Sequence, residues 1–222
     1  MVNAASVQNK INFGFIKTAK VIGDTYNWYR PAQAITPIGA SSLLGTALAQ
    51  FAQDPFFVFY KPADFPVAHR WYGTFSIQDT LQAFDYFVGH GGTFYNLDIE
   101  RFVAVECIWC NRTVTVARPA ENLILGTDPN YGGESVEFPE IILQGWPVSL
   151  RLLGSGMKMR GTDLNLPSDA PLGGYQMFIP PLAGAMLQYN DIVTDDLGRR
   201  YVISSLETSP LGWRVSMEMW PP

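Results

Sequence analysis

Alternation of apolar and polar positions with a period of two dominates the C-terminal part of the chain. Trp213, Val215, Met217 and Met219 alternate with Arg214, Ser216 and Glu218, the pattern of a strand with one buried face. Ahead of it, β-branched and aromatic runs at residues 191–194 and 200–204 flank the turn Asp195-Asp196-Leu197-Gly198. That spacing predicts a hairpin whose loop is closed by a positive φ at Gly198.

The same arrangement occurs earlier in the chain. Residues 85–88, a turn at His90, Gly91 and Gly92, and then Thr93, Phe94 and Tyr95 align with residues 191–193, the Gly198 turn, and Arg199, Arg200 and Tyr201. Each is a hairpin with a buried aromatic just past a glycine. The strand that follows ends in Ala117-Arg118-Pro119 in the first copy and in Trp220-Pro221 in the second, which predicts an internal repeat.

Helical spacing is clear only at the start, where Val7, Ile11, Phe15, Ala19 and Ile22 form an apolar stripe, Lys10, Lys17 and Lys20 take polar positions, and Gly23-Asp24 signals a stop. This helix is expected to pack on its own sheet or, the favoured outcome, to dock on a neighbour. Residues 25–37 show no sustained period and read as an extended connector whose Tyr26, Trp28 and Tyr29 need a surface to cover. Residues 41–53 are rich in small side chains and predict a short helix or an irregular arm. Residues 55–62 are a dense apolar strand bracketed by prolines, and 70–75 and 81–88 continue the sheet. Strands are also expected at 140–144 and 148–153, separated by a bend at Gly145 and Pro147, and at 177–181. Glycine-rich loops are expected over 121–139 and 154–174.

The fold expected from these signals is mainly β: two β-barrel or sandwich-like modules built from short antiparallel hairpins, with an N-terminal α-helix and long loops. The expected division is 1–36 for the helix and connector, 37–120 for the first module and 121–222 for the second.

Composition changes this picture in one respect. The chain of 222 residues is 47% hydrophobic and 14% aromatic, which suits a folded protein, but only 16% of it is charged. A surface so poor in charge predicts that partner subunits cover part of it. The net charge of −5, without a basic cluster, argues against a phosphate-binding surface. The first ten residues lack a basic region followed by an apolar core, and no run is long enough to span a membrane, so neither a secretory signal nor a membrane anchor is expected.

The candidate chemistry is thin. Cys107 and Cys110 have the spacing of a redox or zinc motif, yet they continue a strand pattern in which residues three apart face opposite sides, so free structural thiols are expected. Gly89-His90-Gly91-Gly92 resembles an esterase oxyanion loop but lacks a nucleophile elbow, and a hairpin turn accounts for it. Asp128, Asn130 and Gly132 echo a calcium loop, but Pro129 intrudes and the bidentate acid is missing. Asp195 and Asp196 read as turn residues bonding their own backbone. With two histidines and no phosphate loop, dinucleotide fingerprint or zinc-protease motif, no enzyme activity and no cofactor or metal are expected.

One resemblance adds a functional expectation. Tyr189-Asn190-Asp191-Ile192-Val193, then Gly198, Tyr201, Val202 and Ile203, then Trp213-Arg214-Val215 resemble a β-hairpin of tailed-bacteriophage neck and tail proteins, with Asn190 in place of the usual glycine. Trp28-Tyr29-Arg30-Pro31 and Asn111-Arg112-Thr113-Val114 are similar to segments of phage virion proteins. The resemblance implies a head-to-tail connector or tail subunit, located in the virion and assembled in the host cytoplasm. It would form a homo-oligomeric ring beside other neck or tail proteins, with DNA passing through unbound. A net-negative wall suits that passage. The assembly residues expected are Val7, Ile11, Phe15, Ile22, Tyr26, Trp28 and Tyr29, with Gly91, Gly92 and Gly198 as structural turns. The rivals are a receptor- or carbohydrate-binding module using Trp71, Trp109, Trp146 and Trp213, and a cell-wall hydrolase.

Overall fold

The computed structural model describes residues 3–53, 70–97, 99, 103–119, 139–152, 174–182, 184–209 and 212–220. Among them a helix, α1 (Ala4–Ile22), precedes twelve strands. The strands β1 (Asp24–Tyr29), β2 (Leu43–Ala52), β3 (Arg70–Phe75), β4 (Tyr86–Gly89), β5 (Gly92–Asn96) and β6 (Val105–Cys110) close into one antiparallel barrel in the order β1-β2-β3-β6-β5-β4. The strands β7 (Arg112–Arg118), β8 (Glu140–Leu152), β9 (Gly174–Ile179), β10 (Ile192–Asp195), β11 (Arg200–Ser209) and β12 (Gly212–Met219) close into a second in the order β7-β8-β9-β12-β11-β10. The chain is therefore mainly β, with two barrels of identical topology.

The repeat is deeper than two hairpins. Tyr26 pairs with Ala47 and Gly89 in the first barrel, as Val114 pairs with Trp146 and Asp195 in the second. Phe51 opposes Gly73, which opposes Val105, as Leu150 opposes Met177, which opposes Val215. Volume is exchanged at the first of these positions, where Tyr26 beside Ala47 and Gly89 becomes Val114 beside Trp146 and Asp195. At Gly73 there is no room for more, since a Cβ would meet the Phe75 ring at 2.6 Å and Cys107 Sγ at 3.0 Å.

This frame corrects several expectations. Residues 24–29 are the first strand of barrel one instead of a connector, because Tyr26 points into the core while a bulge after Trp28 breaks the visible period. Residues 43–52 form a strand, not a helix or arm; their small side chains are small because Tyr26 and the Phe51 ring take the volume inside. The segment 112–118 opens the second barrel instead of ending the first, so the module boundary falls at Asn111 and not at 120. The aromatic matching Tyr201 is Phe94, not Tyr95: Phe94 opposes Phe87 as Tyr201 opposes Val193. Residues 140–152 are one continuous strand that bends through Gly145, φ 73°, without stopping. Residues 81–85 form the turn ahead of β4. The apolar run at 55–62 and the loops of 121–138 and 154–173 lie outside the described residues.

The two barrels share one core cluster. Tyr86, Tyr95, Ile108 and Cys110 face out of the first barrel and join the cluster that fills the second, the Tyr86 ring lying edge-on to Trp146 at 6.2 Å. Asn111, the single residue between β6 and β7, acts as a splint: its amide nitrogen donates to Leu150 O at 2.8 Å and its Oδ1 accepts from Leu150 N at 2.8 Å. Tyr86 Oη donates to Pro147 O at 2.8 Å inside this contact, and Trp146 Nε1 donates to Ala34 O at 2.7 Å, tying the segment after β1 to β8. Paired across the seam, these groups tie the two barrels together.

Candidate assembly surfaces

The strongest polar feature occurs twice. Arg30, just past β1, grips Asp85 through Nε and Nη2 at 2.7 and 2.8 Å, and Arg118, at the end of β7, grips Asp191 at 3.0 and 3.1 Å. In each copy the arginine also donates to a carbonyl of the preceding loop, Thr80 or Met186. Each aspartate accepts the backbone N–H of a glutamine three residues earlier, Gln82 or Gln188. The residue before each aspartate, Phe84 or Asn190, takes positive φ, 69° and 68°. The hydrogen bonds to the aspartates raise the arginine pKa values in both copies. Both carboxylates are fully enclosed, so each site is a buried, bidentate ion pair that clamps the loop before β4 or β10 to the barrel's first strand.

Local sequence patterns do not announce this device. Its two halves lie far apart in the chain, and only the shared Leu-Gln-x-x-Asp at 81–85 and 187–191, with Arg-Pro at 30–31 and 118–119, marks it. Asn190 tolerates its positive φ for a physical reason: asparagine's short amide fits the left-handed region.

The turn glycines divide. Gly92 and Gly198 have φ of 116° and 75°, as the hairpins require, while Gly91 is needed for space, a Cβ there striking the Tyr26 hydroxyl. Asp195 organises the second hairpin by accepting from Leu197 N, Arg199 N and Tyr201 Oη at 3.0, 2.9 and 3.0 Å. Burial and the bond to Asp195 push the Tyr201 phenol up to about 12. Asp195 is thus a turn residue, and Asp196 forms a looser ion pair with Arg112 at 3.8 Å.

The helix packs in cis, on β2 and β3 of the first barrel. Val7, Ile11 and Phe15 are half-buried there and Ala19 is fully buried, whereas Ile22 is 59% exposed. Gly23 lets the helix end close against β2, where a Cβ would lie 3.1 Å from the Ala49 carbonyl carbon. Asn12 Nδ2 donates to Asp79 Oδ1 at 2.9 Å. Lys10, Lys17 and Lys20 with Phe13 and Val21 make up the outward face. Of the other residues expected at an assembly interface, Tyr26 is buried in its own barrel, Trp28 packs on that core and donates to Asp85, and Tyr29 packs on the shared core. These three serve the chain's own fold.

Cys107 and Cys110 are free and buried, one inside the first barrel and the other in the inter-barrel core, and burial raises both thiol pKa values. No cluster of metal-ligating side chains occurs among the described residues, and no described helix is long and apolar enough to cross a membrane. Trp146 is buried, Trp71 and Trp109 are half-buried on the first core and Trp213 on the shared one, so the four do not line a common groove. Comparison with protein-family models, with curated proteins and with solved structures finds no match to this chain.

Proposed function

We propose that the chain is a structural subunit of a phage neck or tail, acting by assembly into a ring with further copies and without catalysis. The observation that carries this reading is the pair of equivalent closed barrels, joined by a common cluster and clamped twice by the same kind of arginine–aspartate pair. Closed barrels offer no long open sheet edge, so a neighbour meets side-chain faces and turns, which suits defined assembly over edge-to-edge aggregation. The phage-like hairpin is β10–β11, the element that the second clamp holds in place. Large apolar side chains at Phe13, Val21, Leu152, Met186, Tyr189 and Trp220 remain exposed, as on a subunit that neighbours cover. A net charge of −5 lets DNA pass a channel wall without sticking.

Negative-stain electron microscopy of the purified protein, with mass spectrometry of particles from the producing strain, tests the reading. Rings of defined rotational order and presence of the chain in the particles are expected. A chain that is missing from purified particles and never forms closed assemblies contradicts it.

A further inference from the structure

The register of the repeat makes the outer surfaces of the two barrels comparable residue by residue. On β8, Pro147 and Ser149 alternate with the inward Trp146, Val148 and Leu150 and are nevertheless buried; β8 is the strand of the second barrel that β6 touches, and Tyr86 of the first barrel donates to Pro147 O. Through the strand pairing, their equivalents in the first barrel are Leu48 and Gln50 of β2. That face is covered by α1. The helix therefore sits where, one repeat later, a whole barrel sits.

The opposite half of the contact is repeated too. Tyr86, Tyr95, Ile108 and Cys110 form the face by which the first barrel meets the second, and all four are buried. Their equivalents in the second barrel are Ile192, Val202, Glu218 and Trp220. Three of these are apolar; Ile192 and Val202 are half-buried, Trp220 is 44% exposed and Glu218 is exposed. One end of the chain thus carries an open copy of the docking face, and the other carries a receiving face under a helix.

We propose that α1 is a displaceable cap, and that when it lifts, a second copy of this chain docks its β10–β12 face on β2–β3, repeating between subunits the contact that joins the barrels within one. The occupant follows from continuity with the internal interface, since the same topology and register supply both partners. Displacement is within reach because the cap is lightly held. Of its nineteen residues only Ala19 is buried, and its side-chain bond from Asn12 to Asp79 is exposed. Glu218, in the place of Ile108, weakens docking, so that association needs a high concentration of the chain.

The contact between barrel faces does not depend on the assembly belonging to a virion. Its test is sedimentation velocity on the full chain. Ala19→Glu puts a charge under the cap and is expected to raise self-association at least about tenfold. Adding Glu218→Ile strengthens it further, and adding Trp220→Glu abolishes it. A reversible version uses Asn12→Cys with Asp79→Cys, in which oxidation ties the helix down: the oxidised protein stays monomeric at concentrations where the reduced protein associates. Association that ignores Trp220→Glu, or that is equal in the oxidised and reduced forms, overturns the proposal, and the second comparison holds even if Ala19→Glu fails to fold. Rings that form with the helix tied down would leave the virion reading intact while removing this one.

Discussion

The guanidinium of Arg118 meets the carboxylate of Asp191 with two nearly equal bonds, 3.0 and 3.1 Å, across a gap of 73 residues in the chain. The carboxylate is buried and the guanidinium only partly so, which makes the aspartate the costly half to orphan or remove. Removing Arg118 would leave a buried charge without its partner. Arg118→Ala is expected to lower unfolding free energy by about 3 kcal/mol, with Arg30→Ala similar in the first barrel. Urea unfolding of both variants checks this; a loss below about 1 kcal/mol would mean that the clamp is solvated and weak.

Gly198 takes φ 75°, and a Cβ placed there would meet no atom within 4 Å, so a substitution is strained by the backbone alone. Gly198→Val should cost about 1–3 kcal/mol, and Gly198→Asn much less, because asparagine accepts positive φ. Thermal melts of the pair separate a backbone effect, in which asparagine rescues, from a steric one, in which it does not.

Tyr201 donates to Asp195 as a neutral phenol, and its pKa is raised to about 12 in the fold. A group whose folded pKa exceeds its unfolded value of about 10 contributes fully below that value and loses the contribution as pH rises toward the folded pKa. Stability should therefore fall between pH 10 and about 12, more steeply in the native chain than in Tyr201→Phe. Denaturation curves across that window test the sign, and parallel slopes for the two proteins would refute it.

The two thiols should be inert in the native state. Cys107 and Cys110 are buried, in different clusters, with raised pKa values that keep the thiolate scarce. Labelling with a thiol reagent is expected only at the rate of unfolding, and both sites should then react. Fast labelling of the folded protein, or stoichiometric zinc by elemental analysis, would contradict the structural role.

The short-range signals decided a good deal. Alternation at 212–219, the glycine-closed turn at Gly198 and the helical stripe ending before Gly23 each depend on neighbours a few residues apart, and β12, the β10–β11 hairpin and α1 lie where those patterns put them. The class, mainly β with two modules and a leading helix, follows from the same local chemistry. What the sequence left undecided is everything set by pairing between distant strands. Ala47 and Ala49 read as helix-formers until Tyr26 is seen to fill the space beside them, and Trp28 and Tyr29 read as a connector because a bulge interrupts their alternation. The arginines and aspartates of the clamps are ordinary charges until closure of each barrel brings the first strand beside the loop before the fourth. Local propensity reports the element, but register, the burial of a charge and the covering of a face are properties of two surfaces at once, and only the closed barrels bring those surfaces together.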